Sequence, residues 1–293
     1  MVTSQPLSIA YTPDSDDAFY YDAIETGRVA MSGYLPNFSR EPISVLNGAA
    51  KRGLYDVTAI SSVVYPQVAQ RYAILSVGTS VGRGYGPVLV SKEKHHIEDL
   101  GGRRVGVPGI PTTGWFLLRF LCPDAIPVEM PYDQIADAVA AGQLEAGVMI
   151  HEELIYYPRM NLHRIVDLGA EWCQRHDLPL PVGLNVIRRG LGQDAMQRIC
   201  AMIRYSLEYA LGHSDEALSR VSRLGRGNEG QCTERFVSMF ANADSVRLPS
   251  DARTALQALF SQVVNLGLCP AVPPIDIIEG SSWGSVIRQL KAG

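Results

Sequence analysis

The 293-residue sequence has no apolar run near the roughly 20 residues that a membrane-spanning helix requires. Its first residues also lack the pattern of an export signal, in which a basic segment precedes an apolar core and a small-residue cleavage site. These two absences predict a cytoplasmic protein that has no membrane partner.

Blocks of like charge are absent as well. The chain carries 26 Lys and Arg residues against 30 Asp and Glu residues, for a net charge of -4, and neither sign is gathered in one stretch. Proteins that bind nucleic acids usually concentrate basic residues in a patch or a stripe. The sequence therefore predicts no nucleic-acid partner and favours a small-molecule ligand.

The cysteines form no recognisable motif. There are five, an odd number, and they are widely scattered, at Cys122, Cys173, Cys200, Cys232 and Cys269. They show no CxxC pair and no His–Cys spacing of the kind that a zinc site needs. We expect free thiols in a reducing compartment and no metal centre.

A glycine-rich stretch from Gly78 to Gly86 superficially matches a phosphate-binding loop. Such a loop must open a helix, so that its amides and the helix dipole meet the anion. Here the β-rich segment Pro87 to Val90 follows, so we interpret the glycines as a turn between strands. No other cofactor motif is present, and we expect no cofactor.

Short apolar strands alternate with helices over most of the chain, which is typical of α/β proteins. The strand Gly86 to Ser91 leaves the first half, and Pro179 to Arg189 returns to it before long amphipathic helices cover that half. Two crossings make a hinged cleft, an arrangement that resembles type II periplasmic binding proteins. We expect a first lobe of residues 1–90 and 184–293, which carries the helical carboxyl-terminal segment, and a second lobe of residues 91–183.

His151 follows an apolar run, Gly147 to Ile150, that we interpret as a buried strand. In open parallel sheets, ligands bind just beyond the carboxyl ends of the strands. An imidazole there is suited to act as a general base, because its ordinary pKa of about 6.5 is close to neutral pH. The alternative is a structural histidine that bonds to a backbone carbonyl.

Two pairs of hydroxyl residues stand at comparable positions. Ser61 and Ser62 end an apolar strand, and Thr112 and Thr113 begin a helix that follows another strand. Each pair can hydrogen-bond a ligand, and each can also cap the helix that follows it. The acidic loop Asp14 to Asp17 has the same two interpretations, because carboxylates are favourable at the positive end of a helix dipole.

Several motifs, in their order along the chain, resemble those of the 1,4-dihydroxy-6-naphthoate synthases of the futalosine route to menaquinone. The matching residues span roughly 7 to 212 of the chain. They are Pro13 with Asp16 and Asp17, Ile60-Ser61-Ser62 before Tyr65, Gly82 to Pro87, Val107-Pro108-Gly109 with Thr112-Thr113, Ile150-His151-Glu152, and Leu178 to Pro181 with Gly183.

The resemblance implies a lyase that converts cyclic dehypoxanthinyl futalosine to 1,4-dihydroxy-6-naphthoate, with His151 as the base and without a metal or a cofactor. It implies that Ser61, Ser62, Thr112 and Thr113 hold the carboxylate and the sugar-derived hydroxyls. The remaining residues that it places at an aromatic carboxylate substrate are Asn47, Ile60, Ile150, Leu180 and Pro181.

Two alternatives remain open at this stage, together with the choice between a monomer and a homodimer. A chorismate dehydratase of the same pathway would share the two-lobed fold. A non-catalytic cytoplasmic binding protein for a small carboxylate would need no base and would release its ligand unchanged.

Overall fold

Two separate β-sheets organise the chain, and the computed structural model describes residues 4–223 and 230–280. The strands are β1 Gln5–Tyr11, β2 Tyr34–Arg40, β3 Val57–Ser61, β4 Tyr72–Leu75, β5 Ser80–Gly82, β6 Val88–Ser91, β7 Arg104–Val107, β8 Ile126–Glu129, β9 Ala146–Met149, β10 His163–Asp167, β11 Leu180–Arg188 and β12 Ile277–Ile278. The helices are α1 Ser15–Glu25, α2 Ile43–Arg52, α3 Tyr65–Val68, α4 Thr113–Leu121, α5 Tyr132–Ala140, α6 Glu153–Tyr156, α7 Leu168–His176, α8 Gln193–Gly212, α9 Ser214–Val221, α10 Gly230–Phe240, α11 Ala243–Val246 and α12 Ser250–Asn265.

The first sheet has the strand order β12-β4-β11-β3-β1-β2, and β5 also pairs with β11. Strand β1 runs parallel to β2 and β3, whereas the long strand β11 runs antiparallel to β3, β4 and β5. Strand β11 follows all the strands of the second sheet in the sequence. The first sheet therefore contains strands from before and after the second sheet.

The second sheet has the order β10-β6-β9-β7-β8. Strand β7 runs parallel to β8 and β9, and β6 runs antiparallel to β9 and β10. All four residues of β9 are buried, as expected for a strand inside a sheet that helices cover. The strand that was predicted to precede His151 is therefore present, at Ala146–Met149.

The chain crosses between the sheets twice, once between β5 and β6 and once between β10 and β11. The lobe boundaries expected from the sequence, at residues 90 and 183, fall inside β6 and β11. We propose boundaries near residues 86 and 179 instead, because these positions cut no strand. Helices α8 and α9 pack against α1 on the first lobe.

Apolar packing is continuous between the two lobes. One core cluster contains Ile60 and Val64 from the first lobe together with Val105, Phe116 and Trp172 from the second. A second cluster joins the first sheet to α1 and α8, and a third joins the second sheet to α5. The shared core places residues of the two lobes on either side of one cleft.

The sequence predicts one of the long amphipathic helices of the first lobe from Asp215 to Leu224. The helix is present as Ser214–Val221, and Leu224 lies outside the described residues. Within residues 4–223 and 230–280, no helix has both the length and the apolar character needed to cross a membrane.

Candidate active site

A cleft of about 700 Å³, including its part open to solvent, lies between the two lobes. The first lobe contributes residues of β3 and β11, and the second lobe contributes the start of α4 and the residues that follow β9. Six residues predicted from the sequence line the cleft, namely Ile60, Ser61, Thr112, Thr113, Ile150 and His151.

Asn47, which was also predicted at the substrate, does not line the cleft but supports a residue that does. Its side-chain oxygen accepts a hydrogen bond from the backbone N–H of Ser61 at 2.9 Å, and its Nδ2 donates to Ser61 Oγ at 3.1 Å. The same Nδ2 donates to the carbonyl of Pro111 in the second lobe at 3.0 Å. Asn47 therefore orients Ser61 and connects it to the opposite lobe.

The other three predicted residues also lie outside the cleft lining. The hydroxyl of Ser62 is buried and has no hydrogen-bond partner among the described residues. Leu180 is fully buried in the core cluster that joins the lobes, and Pro181 is buried beside it on β11. The next two residues of that strand, Val182 and Gly183, reach the cleft in their place.

The two threonines use their hydroxyl protons within the protein. Thr112 is the N-cap of α4, since its Oγ1 accepts from the Trp115 N–H at 3.2 Å, and it donates to the Gly109 carbonyl at 2.9 Å. The Thr113 hydroxyl donates to the Val182 carbonyl at 2.7 Å. These oxygens can accept hydrogen bonds from ligand hydroxyls. A ligand carboxylate needs hydrogen-bond donors, and the backbone amides at the start of α4 can provide them.

His151 lies two residues after β9 with φ of 53°, a left-handed conformation that is uncommon for a residue with a side chain. Its Nδ1 lies 2.8 Å from Oδ2 of Asp14, which is the N-cap residue of α1 in the first lobe. The Tyr132 hydroxyl donates to the other Asp14 oxygen at 3.2 Å, and the Tyr132 ring meets the imidazole edge-on with centroids 4.7 Å apart. The imidazole is thus placed by contacts from both lobes.

The charge state of His151 follows from these neighbours. Burial acts against the charged imidazolium, but the Asp14 carboxylate, followed by Glu153 and Glu152, outweighs burial and raises the pKa of His151 to about 9. Its Nε2 is buried and has no hydrogen-bond partner among the described residues. The imidazole is therefore strongly basic, and one ring nitrogen is left for a ligand.

The other ionisable groups close to His151 are carboxylates. Burial raises the pKa of Asp17 to about 6 although two hydrogen bonds from Thr12 oppose the shift, and burial together with the neighbouring Asp17 charge raises the pKa of Asp16 well above its ordinary value. Burial also raises the pKa of Glu153 to about 7. Asp16 and Asp17 line the cleft, and none of the described residues that line it is a lysine or an arginine. Protonated His151 is therefore a cation in an acidic cleft.

Sequence reasoning missed two parts of the site. The first is the pairing of the α1 start with the segment after β9, where the Ser15 backbone N–H donates to Glu152 Oε1 at 3.2 Å and the Ser15 hydroxyl donates to the same oxygen. The second is helix α10, whose Phe236 and Phe240 line the cleft. The aromatic residues of α10 were visible in the sequence, but nothing local indicated that this helix would reach the second lobe.

The described residues suggest no metal centre. No group of three or more His, Cys, Asp or Glu residues within 4–223 and 230–280 is arranged to hold a metal ion. All five cysteines are free, and Cys122, Cys200 and Cys232 are buried.

Comparison with solved structures places the fold. The periplasmic aliphatic sulphonate binding protein SsuA of Escherichia coli superposes with a TM-score of 0.66 at 12% identity, over 96% of this chain and 96% of that chain. This likeness confirms the predicted two-lobed fold of the periplasmic-binding-protein type. A protein of Archaeoglobus fulgidus superposes with a TM-score of 0.86 at 37% identity, over 90% of this chain and 98% of that chain.

Sequence comparison gives the family. Two curated relatives are named "1,4-dihydroxy-6-naphtoate synthase". The relative from Thermus thermophilus is 35% identical, over 92% of this chain and 98% of the relative. The relative from Streptomyces coelicolor is 32% identical, over 93% of this chain and 98% of the relative. The sequence model of a family described as menaquinone biosynthesis matches residues 7–265. The chain therefore belongs to this menaquinone biosynthesis family.

Proposed function

We propose that the protein is a lyase that converts cyclic dehypoxanthinyl futalosine to 1,4-dihydroxy-6-naphthoate, with His151 as the general base. The observation that carries the proposal is the arrangement of the cleft, which His151 of the second lobe and Ser61 of the first lobe line together. The names of the two curated relatives support the product, and the substrate follows from the resemblance of the sequence motifs.

In this proposal Nε2 of His151 accepts a proton from the substrate. Nδ1 is occupied by Asp14, so Nε2 is the ring nitrogen that remains available. The base acts in its neutral form, and a raised pKa makes that form stronger but less populated at neutral pH. The donors and acceptors of the cleft are fixed in place before the substrate arrives, which is the property that stabilises developing charge.

The polar substrate groups are assigned to two places. The backbone amides of Thr113 and Gly114, at the start of α4, hold the carboxylate, because the first amides of a helix have no intrahelical partner and lie at the positive end of its dipole. The hydroxyl oxygens of Thr112 and Thr113 accept from the sugar-derived hydroxyls, since their own protons are already donated. Ser61, which Asn47 orients, contributes from the opposite wall.

The aromatic ring of the substrate is assigned to the apolar part of the cleft. Ile60 and Ile150 line the cleft from the two lobes, and Phe236 and Phe240 extend that wall from α10. The two phenylalanine rings lie 5.1 Å apart at an angle of 56°. Aromatic side chains of this kind offer both area and edge-to-face contacts to a bound ring.

The test is to incubate the purified protein with cyclic dehypoxanthinyl futalosine and to follow 1,4-dihydroxy-6-naphthoate by its absorbance and by mass spectrometry. The proposal expects product in stoichiometric excess over the protein. Recovery of unchanged ligand would identify a binding protein and contradict the proposal. Turnover of chorismate, with none of cyclic dehypoxanthinyl futalosine, would identify a dehydratase and contradict it equally.

A further inference from the structure

We propose that Asp14 is a positioning residue for His151, and that its carboxylate completes the base only when the two lobes are together. The inference rests on the proposed function and adds a residue to it. Asp14 contacts the imidazole but does not itself line the cleft, so its effect on a bound substrate would be exerted through His151.

The two carboxylate oxygens of Asp14 contact two different side chains. One of its oxygens lies 2.8 Å from Nδ1 of His151, and the other accepts a hydrogen bond from the Tyr132 hydroxyl at 3.2 Å. Asp14 is 3% exposed, so water does not compete for these contacts. The contact with Oδ2 is an ion pair rather than a well-aligned hydrogen bond, since Oδ2 has no hydrogen-bond partner among the described residues. The negative charge beside Nδ1 favours a proton on that nitrogen and leaves Nε2 as the acceptor. Carboxylates orient catalytic imidazoles in this way in other enzymes.

The contact joins two lobes. Asp14 directly precedes α1 of the first lobe, whereas His151 follows β9 of the second and Tyr132 begins α5 of the second. Ser15, the next residue along the chain, bonds Glu152, the residue after His151. Separation of the lobes would remove both contacts, and the imidazole would then lose its carboxylate.

Other groups also face His151 and must be considered in any pH measurement. They are Asp16 and Asp17 from the start of α1, Glu152 and Glu153 at the start of α6, and the Tyr132 phenol from α5. Among these groups of the described residues, Asp14 is the one with a carboxylate oxygen recorded at Nδ1, at 2.8 Å. Loss of Asp14 should therefore affect both the basicity and the tautomer of His151, whereas the remaining carboxylates can influence only its basicity.

The decisive variant is Asp14→Asn, which keeps the size of the side chain. Its amide can donate to Nδ1, which would place the ring proton on Nε2 and disable that nitrogen as an acceptor. We expect kcat to fall by on the order of 10²- to 10⁴-fold, the scale of a general base, with a much smaller change in KM. The rising limb of the pH profile of kcat/KM should move to lower pH, because the ion partner that favours the imidazolium is gone.

The second readout is an NMR titration of isotope-labelled histidine, with the His151 signal assigned from its absence in His151→Gln. The titration midpoint should lie well above the ordinary value in the wild type and should fall by at least about one unit in Asp14→Asn. This readout needs no substrate, so it tests the Asp14 contact independently of the reaction.

Ser15→Ala is the matched control. It removes a hydroxyl bond between the same two segments, but it leaves every charge and the Asp14 contact in place. We expect its His151 midpoint to match the wild type. Melting temperatures of all variants identify any that fail to fold.

The outcomes separate the two proposals. An unchanged His151 midpoint in folded Asp14→Asn overturns the positioning role, and so does an unchanged kcat. A midpoint that falls equally in Ser15→Ala also overturns it, because lobe contact in general would then be responsible. If the midpoint falls only in Asp14→Asn but the wild type forms no naphthoate, the Asp14 contact is supported and the proposed reaction is contradicted.

Discussion

Gly109 of the second lobe lies so close to Ser44 of the first that a Cβ atom on the glycine would come within 2.7 Å of the Ser44 Cβ. Gly109 also has φ of 148°, which residues with side chains rarely adopt. The closed arrangement of the lobes at the head of α4 therefore depends on the absence of a side chain at this position.

The first prediction follows from that contact. Gly109→Ala should keep the lobes apart and raise KM about tenfold or more, since overpacking of this kind costs about 1–3 kcal/mol. Steady-state kinetics measures the change. Gly142→Ala is the control, because Gly142 also has a positive φ but has no neighbour within 4 Å of its Cβ position. It should lower the melting temperature without a change in KM, and equal KM increases in both variants would contradict the account.

The second prediction concerns the aromatic wall. Phe236→Leu should raise KM roughly 2- to 10-fold, because an aromatic pair contributes about 0.5–1.5 kcal/mol beyond the area it buries. Phe260→Leu makes the same chemical change in the core cluster that joins the lobes, away from the cleft lining. We expect the control to lose stability and to keep its KM. An unchanged KM in folded Phe236→Leu would show that the ring of the substrate lies elsewhere.

The third prediction is that the loss of protons from Glu153 and His151 lowers the stability of the folded state as pH rises from about 5 to about 9. Glu153 has a pKa raised from 4.5 to about 7, so the folded state holds its proton more tightly than the unfolded state. Its contribution to stability is present below pH 4.5 and is lost as pH rises through 7. The same sign applies to His151, between 6.5 and about 9.

Thermal melts of the wild type and Glu153→Gln across this pH range measure the effect. The glutamine oxygen can keep the hydrogen bond from the Tyr156 hydroxyl, which is 2.9 Å long. The melting temperature of the wild type should fall more steeply than that of the variant between pH 4.5 and 7. A steeper fall in the variant in that window would reverse the sign and refute the assignment.

The parts of the site that depend on local pattern could be predicted from the sequence. His151 follows a buried apolar strand, and Thr112 caps a helix through its own hydroxyl. Both features are decided by residues within a few positions of each other, so one sequence contains the information. Ser61 was predicted for the same reason, as the last residue of an apolar strand.

The remaining parts depend on how distant segments meet. Nothing near Asp14 in the sequence indicates that it would reach His151, because that contact requires the two lobes to be docked. On β11 the prediction selected Leu180 and Pro181, whereas Val182 and Gly183 line the cleft. The pairing of β11 with β5 shifts its register between Pro181 and Gly183, and a local pattern does not reveal such an irregularity.

The measurement that tests the central claim most directly compares the wild type with His151→Asn in two assays on the same preparations. Calorimetric titration with cyclic dehypoxanthinyl futalosine gives binding, and product formation gives turnover. The account predicts that the variant binds within a few-fold of the wild type and loses at least about 10²-fold in kcat, the scale of a general base. Turnover by His151→Asn at the rate of the wild type would contradict it.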